Sequence, residues 1–385
     1  MSVFNGLSAL DFLSDANTKV TYSAEITKGI TARSKLKPFI GIGIDQTGAV
    51  IKSVSKTCDV GEVVGIELQD ELIESGATGN VTLDASSEEL KNIKQFIKID
   101  RFQHAVPSKG SVVTQRTANS FKANSKTALT NWGTRKFDKI GFSAMSADCT
   151  NIVACGHYAD KTTVNITKTD VLTTADVEEA KRRALLGVDA EGKPVPPLVP
   201  VKTVQNENIG FYDDIEYFIM YVGTNSARNI KNDPNWAEAR REAYERGKTN
   251  PLFTGALGFW DGVLLLDVKT DTPRQSGVLT SKSEFTGFGS VKTCDLTQYA
   301  GAGGQETEIN LLVGAGACHI AVDMGVQYYD YADKNDIRRM VSAIDRVYGF
   351  AKTKYQASAN DGVLAGSMFD AKDYGVIAVV ASTGI

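Results

Sequence analysis

The sequence predicts an α+β protein, and three observations carry that prediction. Two stretches, "AVIKSV" and "QFIKIDRFQHAV", alternate apolar and polar residues with period two, as half-buried strands do. One long stretch, 111–146, repeats apolar residues near helical spacing. Beyond it, short capped helices are interleaved with apolar runs that read as buried strands. At 385 residues the chain exceeds what one core usually supports, so two domains are expected.

Taken in order, residues 1–44 are a lead-in of short apolar clusters between polar stretches. Between the two period-two runs lies "ELQDELIESGATGNVTLDASSEELKNIK", which is acidic, rich in Gly, Ser and Asn, and poor in large apolar residues. As the tip of a long hairpin it projects from the body with little core of its own. Residues 111–146 read as one helix. Phe121, Ala128, Leu129, Trp132, Ile140 and Ala144 form its apolar stripe, and Lys122, Lys126, Arg135 and Lys139 lie on other faces. At 1.5 Å per residue it is roughly 50 Å long, and a flat sheet or a neighbouring subunit must cover its stripe. Gly133 inside it costs about 1 kcal/mol relative to Ala.

"TTADVEEAKRRALLG" has a Thr cap, an acidic first turn, a basic last turn and Gly187 as a stop, and is a short helix. "VDAEGKPVPPLVPVK" holds four of the nine prolines and reads as an exposed extended connector. "IEYFIMYVG" is a buried strand, and "DPNWAEARREAYERG" a helix with Pro234 near its start and Gly247 at its end. "GVLLLDV" and "EINLLVG" are further strands. "DKNDIRRMVSAIDRVYGFAK" is expected to be helical in part, and "DYGVIAVVAST" is a terminal strand. There is no internal repeat.

The composition is that of an ordinary globular chain, with 42% apolar and 23% charged residues. A net charge of −4 argues against a protein whose main affinity is for nucleic-acid phosphates. The five cysteines, Cys58, Cys149, Cys155, Cys294 and Cys318, are odd in number and scattered, which fits a reducing compartment without a disulfide framework. The first positive charge is Lys19, so the N-terminal stretch is not expected to be a signal peptide, and no propeptide is expected to have been lost ahead of Met1. No run of about 18 apolar residues is present, so no membrane span is expected.

Neither a catalytic site, a metal site nor a cofactor is expected. Gly314-Ala-Gly316 follows a strand, as a dinucleotide fingerprint does, but the third glycine of that pattern is replaced by His319. A close-packed turn of small residues is expected instead. Cys149, Cys155 and His157 lack the spacing and the second ligand pair of a zinc site, so the cysteines read as buried and structural. His104 has no adjacent nucleophile and reads as structural. "GAGGQETE" (301–308) lacks the Lys-Ser/Thr ending of a phosphate loop and reads as a flexible loop. Lys122, Arg135, Lys136 and Lys139 form a basic helix flank. It reads as a solvated face, with a weak contact to nucleic acid or an acidic neighbour as the alternative.

The loop "NPLFTGALGFWDG" sets large apolar side chains among glycines. Asn250, Pro251, Leu252, Phe253, Gly255, Gly258, Trp260 and Gly262 are its candidate packing or assembly contacts. The glycines permit close turns, Phe253 and Trp260 are the expected anchors, and Asp261 shows no basic partner nearby.

Four blocks, "GATGNVTLDASSEELKNIKQFIKIDRFQHAVPSKGSVVTQRT", "KTALTNWGTRKFDKIGF", "DPNWAEARREAYERGKTNPLFTGALGFWDGVLL" and "YGVIAVVAST", then acquire a common meaning. In residues, order and spacing the chain resembles the major capsid proteins of enquatro-type podophages and their relatives. The resemblance covers residues 45–150 and 210–270 well and the last 75 more loosely. It implies the Hong Kong 97 (HK97)-like coat fold. An N-terminal arm would span 1–44, and peripheral-domain strands 45–110 would carry an extended loop, about 59–97, with Ser75, Gly76, Gly79 and Asn80 near its tip. A peripheral domain with spine helix (111–146) and connector would span 111–200, an axial α/β domain 201–340, and a return to the peripheral domain with the terminal strand 341–385. The resemblance further implies self-assembly into hexamers and pentamers of an icosahedral head enclosing double-stranded DNA without sequence-specific binding. The extended loop would lie over one neighbour and the arm would clasp others. Portal, scaffolding and decoration proteins are the implied partners, and assembly in the bacterial host cytoplasm is implied before residence in the virion. The competing expectations are a soluble two-domain enzyme or ligand-binding protein, and an encapsulin-like cellular shell protein.

Overall fold

The computed structural model describes residues 16–41, 49–55, 63–69, 92–108, 121–204, 214–244, 257–269, 274–275, 294, 296–332, 339–355 and 372–384. In chain order these form α1 (Ala16–Arg33), β1 (Ile40–Gly41), β2 (Ile51–Ser55), β3 (Val63–Gln69), β4 (Asn92–Lys98), β5 (Asp100–Pro107) and α2 (Phe121–Met145). Then come β6 (Ile152–Ala154), α3 (Thr174–Leu186), β7 (Val201–Val204), β8 (Asp214–Gly223), α4 (Thr224–Asn232) and α5 (Pro234–Tyr244). The remainder is β9 (Gly258–Trp260), β10 (Val263–Lys269), β11 (Arg274–Gln275), β12 (Thr307–Val313), β13 (Cys318–Ala332), β14 (Met340–Lys352) and β15 (Val376–Ser382).

The first sheet has the order β1-β2-β13-β14-β5. One face is covered by the helices α1 and α2, through Ile26, Ile30 and Leu129 against Val326, Tyr328 and Ile344. The opposite face carries the antiparallel ribbon β3–β4, whose Val64, Ile66 and Ile97 pack, with Ile99, on Val54, Ala321, Val347 and Ala351. The period-two run "QFIKIDRFQHAV" is therefore two strands, not one. The chain turns at Ile99 from the ribbon into the sheet edge.

The second sheet runs β6-β15-β12-β8-β10-β9, with β7 paired to β8 and β11 to β12. Its strands alternate between two cores. Val153, Met220, Leu312 and Ile377 meet α3, α4 and α5 through Val177, Ala180, Ile230 and Trp236. Tyr221, Ile309, Leu311 and Ala378 face the other way, into a core shared with Phe137, Ile140 and Phe142 of α2 and with Phe102 and Phe350 of the first sheet. Apart from exposed Ala128, the apolar stripe of α2 is thus covered within the chain, by a sheet and by α1. Of the expected helix 111–146, residues 111–120 lie outside the described residues.

The glycines of α2 have a packing reason. A Cβ on Gly133 would stand 2.7 Å from Cδ1 of Ile30, and α1 reciprocates with Gly29, whose Cβ would stand 2.8 Å from Cγ2 of Thr130. The cost of Gly133 in helix propensity is offset by close approach of the two helices.

Four expectations are corrected. "RMVSAIDRVYGFAK" is not helical, since Met340–Lys352 is the strand β14. Ile344, Tyr348 and Phe350 face the helices while Val347 and Ala351 face the ribbon, so both faces are apolar and the period-two signature is erased. The connector 188–202 is not simply exposed, because Val195, Leu198 and Val201 are buried. The terminal strand lies in the second sheet between β6, which belongs to the span 111–200 expected to be peripheral, and β12, which belongs to the span 201–340 expected to be axial. Its continuous apolar run suits a central position buried on both faces. Within the expected arm, residues 16–41 lie on their own chain. Finally, 301–308 is not wholly a loop: β12 starts at Thr307, and buried Glu308 accepts a hydrogen bond from the Ser226 N–H at the start of α4 (2.7 Å).

Candidate assembly surfaces

The described part of the loop at 250–262 is a tight hairpin at the edge of the second sheet. Trp260 pairs with Val263 across Asp261 and Gly262. Asp261 has φ 44° and Gly262 φ 77°, so both turn residues occupy the left-handed region that a two-residue type I′ hairpin requires. Trp260 leans on Trp236 of α5 with ring centroids 5.8 Å apart, and its indole Nε1 donates to Glu178 of α3 at 3.1 Å. Asp261 does have a basic partner, Lys181 of α3, at 2.9 Å. Sequence could not show that pair, because 80 positions separate its members. Trp260 and Asp261 thus hold this edge to α3 and α5 of their own chain, Gly262 shapes the turn and Gly258 pairs with Leu265, while Phe259 is 41% exposed. Asn250, Pro251, Leu252, Phe253 and Gly255 lie outside the described residues, as do Ser75, Gly76, Gly79 and Asn80.

Helix α3, on which the hairpin rests, forms for local reasons. The Asp176 carboxylate accepts hydrogen bonds from the Thr173 N–H (2.8 Å) and hydroxyl (2.7 Å), and Gly187 ends the helix with φ 62°. Its last turn leaves Leu185 and Leu186 exposed.

The ribbon leaves part of the first sheet open. There a groove of about 580 Å³ is lined by Arg101, Gln103, Tyr329, Tyr331, Ala343 and Asp345, among others. Arg101 Nε donates to Asp345 Oδ2 at 2.7 Å, while Oδ1 of this buried carboxylate has no hydrogen-bond partner. Exposed Tyr329 and Tyr331 sit beside it, in a mixture of Tyr and Arg that protein interfaces favour. Nothing in the sequence marked this surface, which is assembled from three strands.

The residues weighed for chemistry are packed or paired. Cys149 and Cys155 are buried, and burial pushes both thiols up. His157 Nε2 lies 3.2 Å from Asp170 Oδ2. His104 stacks on Trp132 with centroids 4.7 Å apart. Gly314–Gly316 is a close-packed turn, where a Cβ on Gly314 would stand 2.4 Å from the Val199 carbonyl oxygen. Among the described residues no group of three or more His, Cys, Asp or Glu side chains could hold a metal, and no helix is long and apolar enough to cross a membrane.

One cluster escaped sequence reasoning. Lys352, at the end of β14, lies 2.9 Å from Asp373 Oδ1 with both side chains buried, and it donates to the Asp148 carbonyl (3.2 Å). Asp373 Oδ2 accepts from the Thr150 N–H (2.7 Å). The cluster joins the first sheet, the end of α2 and the entry to β15.

A model of the phage capsid protein family matches residues 7–384. The major structural protein of Helicobacter pylori bacteriophage KHP30 is 22% identical over 405 residues, which is 98% of each chain. The major capsid protein of Pseudomonas phage KPP25 is 21% identical over 341 residues, 82% of each chain. Among solved structures, the head structure of Helicobacter pylori bacteriophage KHP40 matches with a TM-score of 0.71 at 21% identity, covering 91% of this chain and 92% of that one. The capsid of Ralstonia phage GP4 matches with a TM-score of 0.65 at 18% identity, covering 89% of each. At such identities the likeness shows the fold, and the α+β, HK97-like coat architecture is that fold.

Proposed function

The chain belongs to the phage capsid protein family, and from that premise we propose that it is the major capsid protein of a tailed phage, forming hexamers and pentamers that close an icosahedral head around double-stranded DNA. It is a structural protein and not an enzyme. The observation that carries the reading is a family match spanning almost the whole chain.

Within this reading the ribbon β3–β4 is the base of an extended loop whose tip holds Ser75, Gly76, Gly79 and Asn80, and α2 is the spine helix. The ribbon's packing on its own sheet supports that assignment, since it roots the segment 70–91 on a rigid face. The second sheet with α3–α5 serves as the axial domain. Phe253 and its neighbours in 250–256 are candidate packing or subunit contacts, with Trp260 as the anchor behind them. Portal, scaffolding and decoration proteins are the further partners, and assembly takes place in the host cytoplasm. The enquatro-type kinship rests on the sequence blocks quoted above.

Two measurements test the reading. Purified protein imaged by electron microscopy should form capsomers or shells, and a clean monomer at high concentration that binds a small molecule tightly overturns it. Deleting residues 70–90 should leave circular dichroism and solubility intact, because Val64, Ile66, Ile97 and Ile99 remain, while shells disappear. Normal shells from that deletion would remove the loop from assembly.

A further inference from the structure

The net charge of −4 conceals a strong separation across the first sheet. The helix layer, α1 and α2 at residues 16–33 and 121–145, holds eight lysines and arginines against two acids, Glu25 and Asp138, a net charge of +6. The rest of the chain therefore sums to −10. The segment 59–97, whose described ribbon covers the opposite face of the same sheet, holds nine acids against Lys91 and Lys94.

On the helix layer some cations are committed within the fold. Lys122 pairs with Asp330 at 3.6 Å, and Lys126 pairs with Glu25. Lys28, Arg33 and Arg135 are exposed, and none has a carboxylate partner among the described residues. The Arg33 guanidinium donates to Asn131, which joins the exposed stripe of α1 to that of α2. Around these cations the exposed residues Thr27, Asn124, Thr127 and Asn131 are small and polar. Protein–protein cores are depleted of charge and rich in aromatics, and this stripe has the opposite character. Arg, Lys, Thr and Asn are the side chains that contact phosphate oxygens. The aromatic, interface-like surface of the sheet, Tyr329 and Tyr331, lies on its other face.

We propose that the exposed face of the α1–α2 layer binds nucleic-acid phosphates and is the side of the subunit that meets the packaged duplex. The proposal rests on the capsid reading for the DNA it would meet, but the phosphate-binding face can be tested without it. Few free cations per subunit make each contact weak, so the face orients the wall toward DNA without holding any sequence. Three phosphate contacts correspond to a slope of about −2.7 in log affinity against log salt, a fall of roughly 40-fold between 50 and 200 mM.

The test is a fluorescence-anisotropy titration of the unassembled full chain with a random-sequence 30-base-pair duplex, at several salt concentrations. The K28Q/R33Q/R135Q variant is the comparison, and shells are scored separately by electron microscopy. Salt-dependent duplex binding by the wild type, with a slope flattened by about 2 to 3 in the variant, is the expected result. An unchanged slope, or no duplex binding by the wild type, overturns it. Loss of shells in the variant with duplex binding unchanged overturns it too, and assigns the face to a neighbour's acidic hairpin. Failure of the wild type to form any shell counts against the capsid reading, while the titration still judges the face.

Discussion

Replacing Lys352 by Met keeps the length and volume of the aliphatic stem and removes only the charge. In the native chain the Lys352 side chain is 6% exposed and that of Asp373 1% exposed, with Nζ 2.9 Å from Oδ1. Burial lowers the lysine's pKa, but Cys149 and Asp373 outweigh it and the net shift is upward. Burial pushes the Cys149 thiol up, and the carboxylate facing the ammonium is that of Asp373. Removing Lys352 strands that carboxylate in the core with the Thr150 N–H as its remaining donor. A buried charge left without its partner costs about 3–5 kcal/mol. Asp373→Asn alone strands the ammonium and costs a similar amount. The double variant K352M/D373N removes both charges and should cost less than the sum of the singles by at least about 2 kcal/mol. Urea unfolding of the unassembled chain, followed by tryptophan fluorescence, reads these differences. With a slope of about 2–3 kcal/mol/M, each single variant lowers the midpoint by roughly 1–2 M. Strictly additive costs, with a coupling below about 0.5 kcal/mol, would refute the reasoning, because the two groups would then not be sensing each other.

Acid should act through His319. Burial, with a smaller contribution from Lys52, pushes its pKa down to about 4. The Thr353 hydroxyl donates to the Gly316 carbonyl at 2.6 Å, so at 2.8 Å the Nδ1–H donates to Thr353 Oγ1, while burial disfavours a second proton on the ring. The unfolded chain takes up this proton near pH 6.5 and the folded chain only near 4, so the contribution is present above 6.5 and is lost as pH falls to 4. It amounts to about 3 kcal/mol, and H319Q should flatten the urea midpoint across that window; an unchanged profile refutes the assignment. Trp260→Ala, which removes a half-buried ring held by Trp236 and Glu178, should lower subunit stability by about 2–3 kcal/mol, whereas Phe259→Ser on the exposed face should stay within about 0.5 kcal/mol. An unchanged midpoint for Trp260→Ala combined with lost shells would move Trp260 from the fold to the interface.

Much of the fold was legible because its signals are local. The Thr173 cap and the Gly187 stop bound α3 by hydrogen bonds and backbone angles that a few neighbouring residues set. The edge pairing of "QFIKIDRFQHAV" shows as alternation because β5 and the ribbon each have one face on a core. β14 failed for the converse reason, since with apolar partners on both faces its residues carry no period. The glycines of α2 read as defects until α1 was laid beside them. Long-range pairs such as Lys181–Asp261 and Lys352–Asp373 leave no trace in spacing, because each member is an ordinary charged residue at its own position.

By itself, the sequence determined the α+β class, the long helix, the capped helices and the charge carried by each segment, since these follow from neighbours along the chain. Only the tertiary structure decided that the cationic helices at 16–33 and 121–145 lie together on one face of a sheet whose other face bears the ribbon of the acidic segment. It also decided that a lysine and an aspartate 21 positions apart close the joint between the two sheets. Both outcomes depend on which faces the strands bury, and that is set by packing between elements far apart in the chain.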